Sequence, residues 1–172
     1  MVSAGMMTKC EEFVRKMDGH DFYRFVLELV HIGYPALPAV QAGMGHSRWR
    51  IRRGCAAVLF YLSDTESLQR LVLLTRDPKK KVRKMAVLAL GSSRCAGGEN
   101  PVDTVSYLSF SALNDPAVRV RRVAVLMLGL QAPQRRVTRL LRKILATEQD
   151  PKAIRVAGWG LARQQDLLMR SS

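Results

Sequence analysis

The chain has 172 residues, with 28 Lys and Arg against 14 Asp and Glu and a formal net charge of +14. That length suits one domain or one repeat array with a real core, and no stretch approaches the roughly 18 apolar residues of a membrane-spanning helix. Leu, Val and Ala dominate the apolar content and aromatic residues make up only 6%, a balance that favours helices over sheets.

The opening MVSAGMMTKCEEF lacks the basic start and long apolar run of a signal peptide, so a soluble, cytoplasmic protein is expected. Two short N-terminal helices follow. Glu11 to Met17 is stopped by Asp18-Gly19, and a second helix starts at Asp21 as N-cap and carries Phe22, Phe25, Val26, Leu29 and Val30 at helical spacing until Gly33-Tyr34-Pro35. Four helix pairs come next: Pro35–Ala42 with Trp49–Leu62, Glu66–Leu74 with Lys79–Leu90, Val102–Leu113 with Ala117–Leu130, and Gln134–Ala146 with Lys152–Ala162. Ser93 to Asn100, SRCAGGEN, is rich in helix breakers and reads as a flexible insertion. The whole, 1–172, is expected to be a single domain: a helical cap over 9–32, repeats over 33–63, 65–91, 101–131 and 132–163, and a tail over 164–172.

The repeats declare themselves in two stretches. DPKKKVRKMAVLALG, Asp77 to Gly91, and DPAVRVRRVAVLMLG, Asp115 to Gly129, share nine of fifteen positions at an offset of 38 residues. A period of that size marks a stacked helical solenoid, whose units bury their apolar faces only against one another. Asp at the turn can cap the second helix and proline suits its first turn. Gly91 and Gly129 fit a left-handed residue closing that helix. A weaker copy begins at His46-Ser47 and another at Asp150-Pro151, where Ile154-Arg155 stands one residue early and Gly158 and Gly160 loosen the helix.

With the register D-P-x-x-x-V-R-x-x-A-x-x-x-L-G in place, residues 33–163 resemble the HEAT-repeat family, in particular the short HEAT-like repeats named after phycobilisome bilin lyases. The resemblance implies an all-α fold, a right-handed α-α superhelix of the HEAT-like or armadillo-like kind. It is specific for fold and nearly silent on activity. It also implies that the arginine of the V-R pair, at Arg52, Arg83, Arg121 and Arg155, reaches a turn carboxylate, with Asp77, Asp115 and Asp150 as natural partners.

Residues 1–45 hold four Lys and Arg against five Asp and Glu, so the entire positive surplus lies in the repeats. Beyond the V-R arginine, Arg50, Lys81 and Arg119 occupy one equivalent position and Arg53, Lys84 and Arg122 another, three residues later on the same helix face. In HEAT-like arrays the second helices line the concave surface, so by resemblance these six form two basic rows that bind an anion or a nucleic-acid backbone. Arg135, Arg139, Arg142 and Lys143 make a further basic side on an amphipathic helix whose other side packs inward.

Catalytic motifs are thin. His20, His31 and His46 are never followed by Glu, so the metal-binding His-Glu dyads of the HEAT-repeat deoxyhypusine hydroxylases are missing. Cys10, Cys55 and Cys95 share no close spacing, and suggest neither a disulfide framework nor a zinc site. No catalytic residue, metal or cofactor is therefore assigned. The expectation is a non-enzymatic scaffold whose basic concave surface engages an acidic partner, either protein or nucleic-acid phosphate. Two alternatives stay open: a DNA-binding protein related to the HEAT-like alkylpurine DNA glycosylases, with Trp49 and Trp159 among basic residues, and a bilin-lyase-like assembly factor, which rests on the name of the repeat alone.

Overall fold

The computed structural model describes residues 3–62, 65–92 and 102–170, without the side chain of Thr65. Ser93–Asn100, read from the sequence as a flexible insertion, and Cys95 within it lie outside the described residues. The fold is all-α, a helical solenoid, and it divides into two compact units, Met1–Ala89 and Leu90–Ser172.

In the first unit α1 (Ala4–Lys16) and α2 (Phe22–Ile32) precede a short 3₁₀ turn (Tyr34–Ala36), α3 (Leu37–Gly43), α4 (Trp49–Leu59), α5 (Thr65–Leu74) and α6 (Lys80–Leu90), whose last residue falls in the second unit. Helix α1 starts earlier than its apolar spacing suggests because Ser3 Oγ accepts the Met6 N–H at 3.3 Å, a side-chain cap. Asp21 stands at the N-cap of α2 but makes no capping bond. Gly33 ends α2 with φ at +79°, in the region that favours glycine. Cys10, Val14, Met17, Leu29, Val40, Ile51, Cys55 and Leu59 form the core between α1 and α4. Gly43 is a point of close approach in it, since a Cβ there would lie 2.5 Å from Cys55 Sγ and 2.8 Å from Val14 Cγ1.

The second unit contains α7 (Thr104–Asn114), α8 (Val118–Leu130), α9 (Arg135–Thr147) and α10 (Pro151–Arg170). Helix α8 packs on the other three, burying Val120, Ala124, Val125 and Leu128 against Leu108, Val137, Leu141, Ile144 and Ala157. Gly91 and Gly129 do not close helices in a left-handed conformation, because among the described residues only Gly33 has positive φ. They are close-approach residues instead: a Cβ on Gly91 would overlap Met127 Cβ, and one on Gly129 would lie 2.8 Å from Gly160 Cα. Gly160 therefore tightens the packing of α10 rather than loosening the helix, which runs unbroken past Ala162 to Arg170.

The extra turns of α10 place Gln164 inside the unit, fully buried. Its Nε2 donates to Gly129 O at 3.3 Å and Gln131 O at 2.7 Å, while its Oε1 accepts from Gln134 N at 3.2 Å. Among the described residues no single helix is long and apolar enough to cross a membrane. The segments Phe22–Ile32 and Tyr34–Gly43 reach that length only together, across a bend of 117°.

Candidate functional site

Four second helices are entered through one turn geometry. Asp77 Oδ1 accepts the Lys79 N–H and Asp115 Oδ1 the Ala117 N–H, both at 2.8 Å; His46 Nδ1 accepts from Arg48 N at 3.0 Å and Glu148 Oε1 from Asp150 N at 2.9 Å. Each acceptor bonds the amide two residues on, and the helix begins three residues after it. This is the Asx-turn, with imidazole and glutamate substituting for aspartate. Asp77 and Asp115 thus shape the turn ahead of the helix rather than cap the helix itself.

The last repeat is consequently registered on Glu148 and not on the D-P letters two residues later. Asp150 has another task, since its Oδ1 accepts the Ala153 N–H at 2.8 Å as an N-cap of α10, with Pro151 at the first helical position. In the corrected register Ile154 replaces the V-R arginine, and Ala157 falls on the small buried position of Ala86 and Ala124.

The arginines six residues after each acceptor hold the turns together. Arg52 Nη1 donates to His46 O at 2.7 Å, Arg83 Nη1 to Asp77 O at 2.9 Å and Arg121 Nη1 to Asp115 O at 3.1 Å. The other edge of Arg52 grips the Asp77 carboxylate at 2.6 and 3.1 Å, and that of Arg121 grips Glu148 at 2.7 and 2.9 Å. Such fork-on-fork pairs fix geometry as well as charge. The Arg121 guanidinium, with the Asp150 and Gln149 amides, holds the Glu148 carboxyl down to about 2 despite burial that acts in the opposite sense. The expected partner Asp150 is instead bound by Arg122, at 2.7 Å on both oxygens, which lowers its pKa. Arg155 is not a member of this ladder.

The six basic residues singled out by the repeat alignment have different surroundings. In the first unit Arg50 and Lys81 approach the Trp49 ring, 5.3 and 5.1 Å from its centroid, as cation–π pairs. Arg53 lies 4.5 Å from the Phe22 ring centre and donates to Tyr23 Oη at 3.2 Å. Lys84 is exposed. In the second unit Arg119 is exposed, whereas Arg122 is held by Asp150.

The corrected register adds two members that alignment by letters missed. Lys152 occupies the position of Arg50, Lys81 and Arg119, and Arg155 that of Arg53, Lys84 and Arg122. Aligning hydrogen-bond acceptors instead of the D-P dipeptide is the signal that finds them. Lys152 and Arg155 border an open depression of about 410 Å³ between α8 and α10, floored by Leu126, Val156 and Trp159. A wider one, about 820 Å³, lies between α9 and the end of α10, with Arg135, Arg139 and Arg142 facing Leu168 and Met169.

A family model described as HEAT repeats matches residues 71–162. The chain belongs to the HEAT-repeat family. A solved structure, the complex of CpcE and CpcF of phycocyanin lyase from Nostoc sp. PCC7120, matches this HEAT chain with a TM-score of 0.75 and 19% identity, over 96% of this chain and 99% of the other. No curated protein matches. The structural match overturns the expectation of a non-enzymatic scaffold for an acidic partner, because the chain it resembles along almost its whole length is part of a lyase. Of the six residues expected to bind that partner, Arg53 donates to Tyr23 and Arg122 is paired with Asp150.

Proposed function

We propose that the chain is a bilin-lyase-like assembly factor, a HEAT-repeat protein that handles an open-chain tetrapyrrole for attachment to a phycocyanin-type acceptor. The observation that carries this reading is the extent of the structural likeness. It spans 96% of this chain and 99% of a chain from the phycocyanin lyase complex, so the two share one architecture from end to end. That complex has two components, CpcE and CpcF, and the same reading gives this chain a second HEAT-type protein as its partner.

The basic residues have a use in this reading. Tetrapyrrole carboxylates are anions on a planar apolar body, and of the aligned six Arg50, Lys81 and Lys84 in the first unit and, separately, Arg119 in the second have no carboxylate partner among the described residues. Arg53 and Arg122 then act as supports, through Tyr23 and Asp150. A reducing, cytoplasmic setting accords with the two buried thiols, Cys10 and Cys55, neither of which is in a disulfide. Burial pushes the Cys55 thiol strongly upward, which suits a packing role rather than a nucleophilic one.

The test is reconstitution. Phycocyanobilin and apophycocyanin are incubated with this chain, with and without a second HEAT-type lyase chain, and visible absorbance is followed on the acceptor polypeptide under denaturing conditions. Pigment that stays with the acceptor only when this chain is present supports the reading. Attachment at the uncatalysed rate in both mixtures refutes it.

A further inference from the structure

We infer that the face of α10 around Trp159 is a binding site for a planar, conjugated carboxylate, with the ring system lying on the indole and the carboxylate between Lys152 and Arg155. Lys152, Arg155, Val156 and Trp159 stand at i, i+3, i+4 and i+7, one continuous stripe of the helix. The same stripe on α8 is Arg119, Arg122, Val123 and Leu126, and on α6 it is Lys81, Lys84, Met85 and Leu88. Of these three helices only α10 ends the stripe in an indole, and that indole is 47% exposed. An aromatic of this size left half in water beside a depression of about 410 Å³ is a surface awaiting an apolar partner, within the size range of small-molecule sites.

Three further features shape the site. The indole edge sits over Gly129, where a Cβ would come within 3.3 Å of Trp159 Cζ3, so the glycine provides the seat that lets the ring lie against α8. Neither Lys152 nor Arg155 pairs with a carboxylate among the described residues, while Arg122 on the adjoining stripe is neutralised by Asp150. Both cations that line the depression belong to α10, at the opposite end of the stripe from Trp159. A ligand that satisfies both ends has an anionic group at one edge of a flat apolar body. The arginine offers a planar fork to a carboxylate and the lysine a point charge.

The choice of an open-chain tetrapyrrole dicarboxylate as probe rests on the lyase-like reading, but the face itself does not. A Trp49→Phe variant leaves Trp159 as the one indole, and its fluorescence is titrated with biliverdin, with biliverdin dimethyl ester and with laurate. Saturable quenching by biliverdin is expected, with the uncharged ester and the non-planar fatty acid each weaker by about ten-fold or more. Lys152→Gln with Arg155→Gln weakens biliverdin by a similar factor and leaves the melting temperature in place. Trp159→Leu, followed through the absorbance of the bilin itself, also loses binding. Equal affinity for the ester, undiminished binding by either variant, or no quenching of Trp159 at all overturns the site. If biliverdin binds in the expected pattern but reconstitution attaches no pigment, the lyase-like reading fails and the site stands. If attachment survives all three substitutions, the site fails and that reading stands.

Discussion

Helices α8 and α10 occupy the same place in successive repeats, but they use their shared pattern for different purposes. Both are entered through a carboxylate that bonds the amide two residues on, and they pack so closely that Gly129 and Gly160 meet backbone to backbone. Helix α8 supplies Arg121 and Arg122 to bind Glu148 and Asp150. Helix α10 has Ile154 and Arg155 at those two positions, and its cations are left facing solvent beside Trp159. Within one repeat, then, the turn acceptor and, in the first three repeats, the arginine six later hold the fold, while positions four and seven stay basic and position eleven changes from Ala57 through Leu88 and Leu126 to Trp159.

Removing the arginine of that division should have the largest effect. Arg121→Ala leaves Glu148, whose side chain is only 6% exposed, without its guanidinium; a loss of about 3 kcal/mol is expected in urea denaturation, as for other broken buried pairs. Next comes the packing of the two helices. Gly160→Val forces carbon atoms onto Gly129 Cα and should cost about 2 kcal/mol. Gly158→Ala, whose Cβ meets nothing within 4 Å, should instead stabilise by about 0.5–1 kcal/mol by removing a helical glycine.

The third experiment varies pH. The folded pKa of Glu148 lies at about 2, below its unfolded value of about 4.3. The unfolded state therefore takes up the proton first, and the stabilisation is complete above about pH 5 and drains away as pH falls toward 2. Glu148→Gln should lower stability at pH 7 and flatten the decline between about pH 5 and 3 in thermal melts. An unchanged acid slope would remove Glu148 from the account. The smallest effect separates the two helices most cleanly: Arg122→Gln breaks the Asp150 pair and should lower the urea midpoint slightly, whereas Arg155→Gln should leave stability unchanged within about 0.5 kcal/mol.

The letters V-R, A and L were sufficient for the solenoid because they are the buried and paired positions, where geometry permits few substitutes. They misled at the turns. His46 and Glu148 accept the same amide as Asp77 and Asp115 with different atoms, so a search for D-P slides the last repeat by two residues and assigns Arg155 to the wrong class. The glycines misled for a related reason. A glycine that admits a left-handed turn and one that admits a neighbouring helix are the same letter, and only the distance from Gly129 to Gly160 tells them apart. The exposure of Trp159 was invisible for want of any local signal. An apolar run on a helix reads as core, and which of its residues the neighbouring helix covers is a tertiary fact.

One buried amide bears on how the second unit comes apart. Gln164 touches the end of α8 through Gly129 and Gln131 and the start of α9 through Gln134, all from α10. The linker between α8 and α9 cannot open on its own, since exposing the Gln134 N–H requires the third helix to let go. Hydrogen exchange at that amide should therefore be governed by departure of α10 rather than by loop fraying. An isolated connecting segment becomes, through a single side chain, a reporter of the cooperative unfolding of three helices.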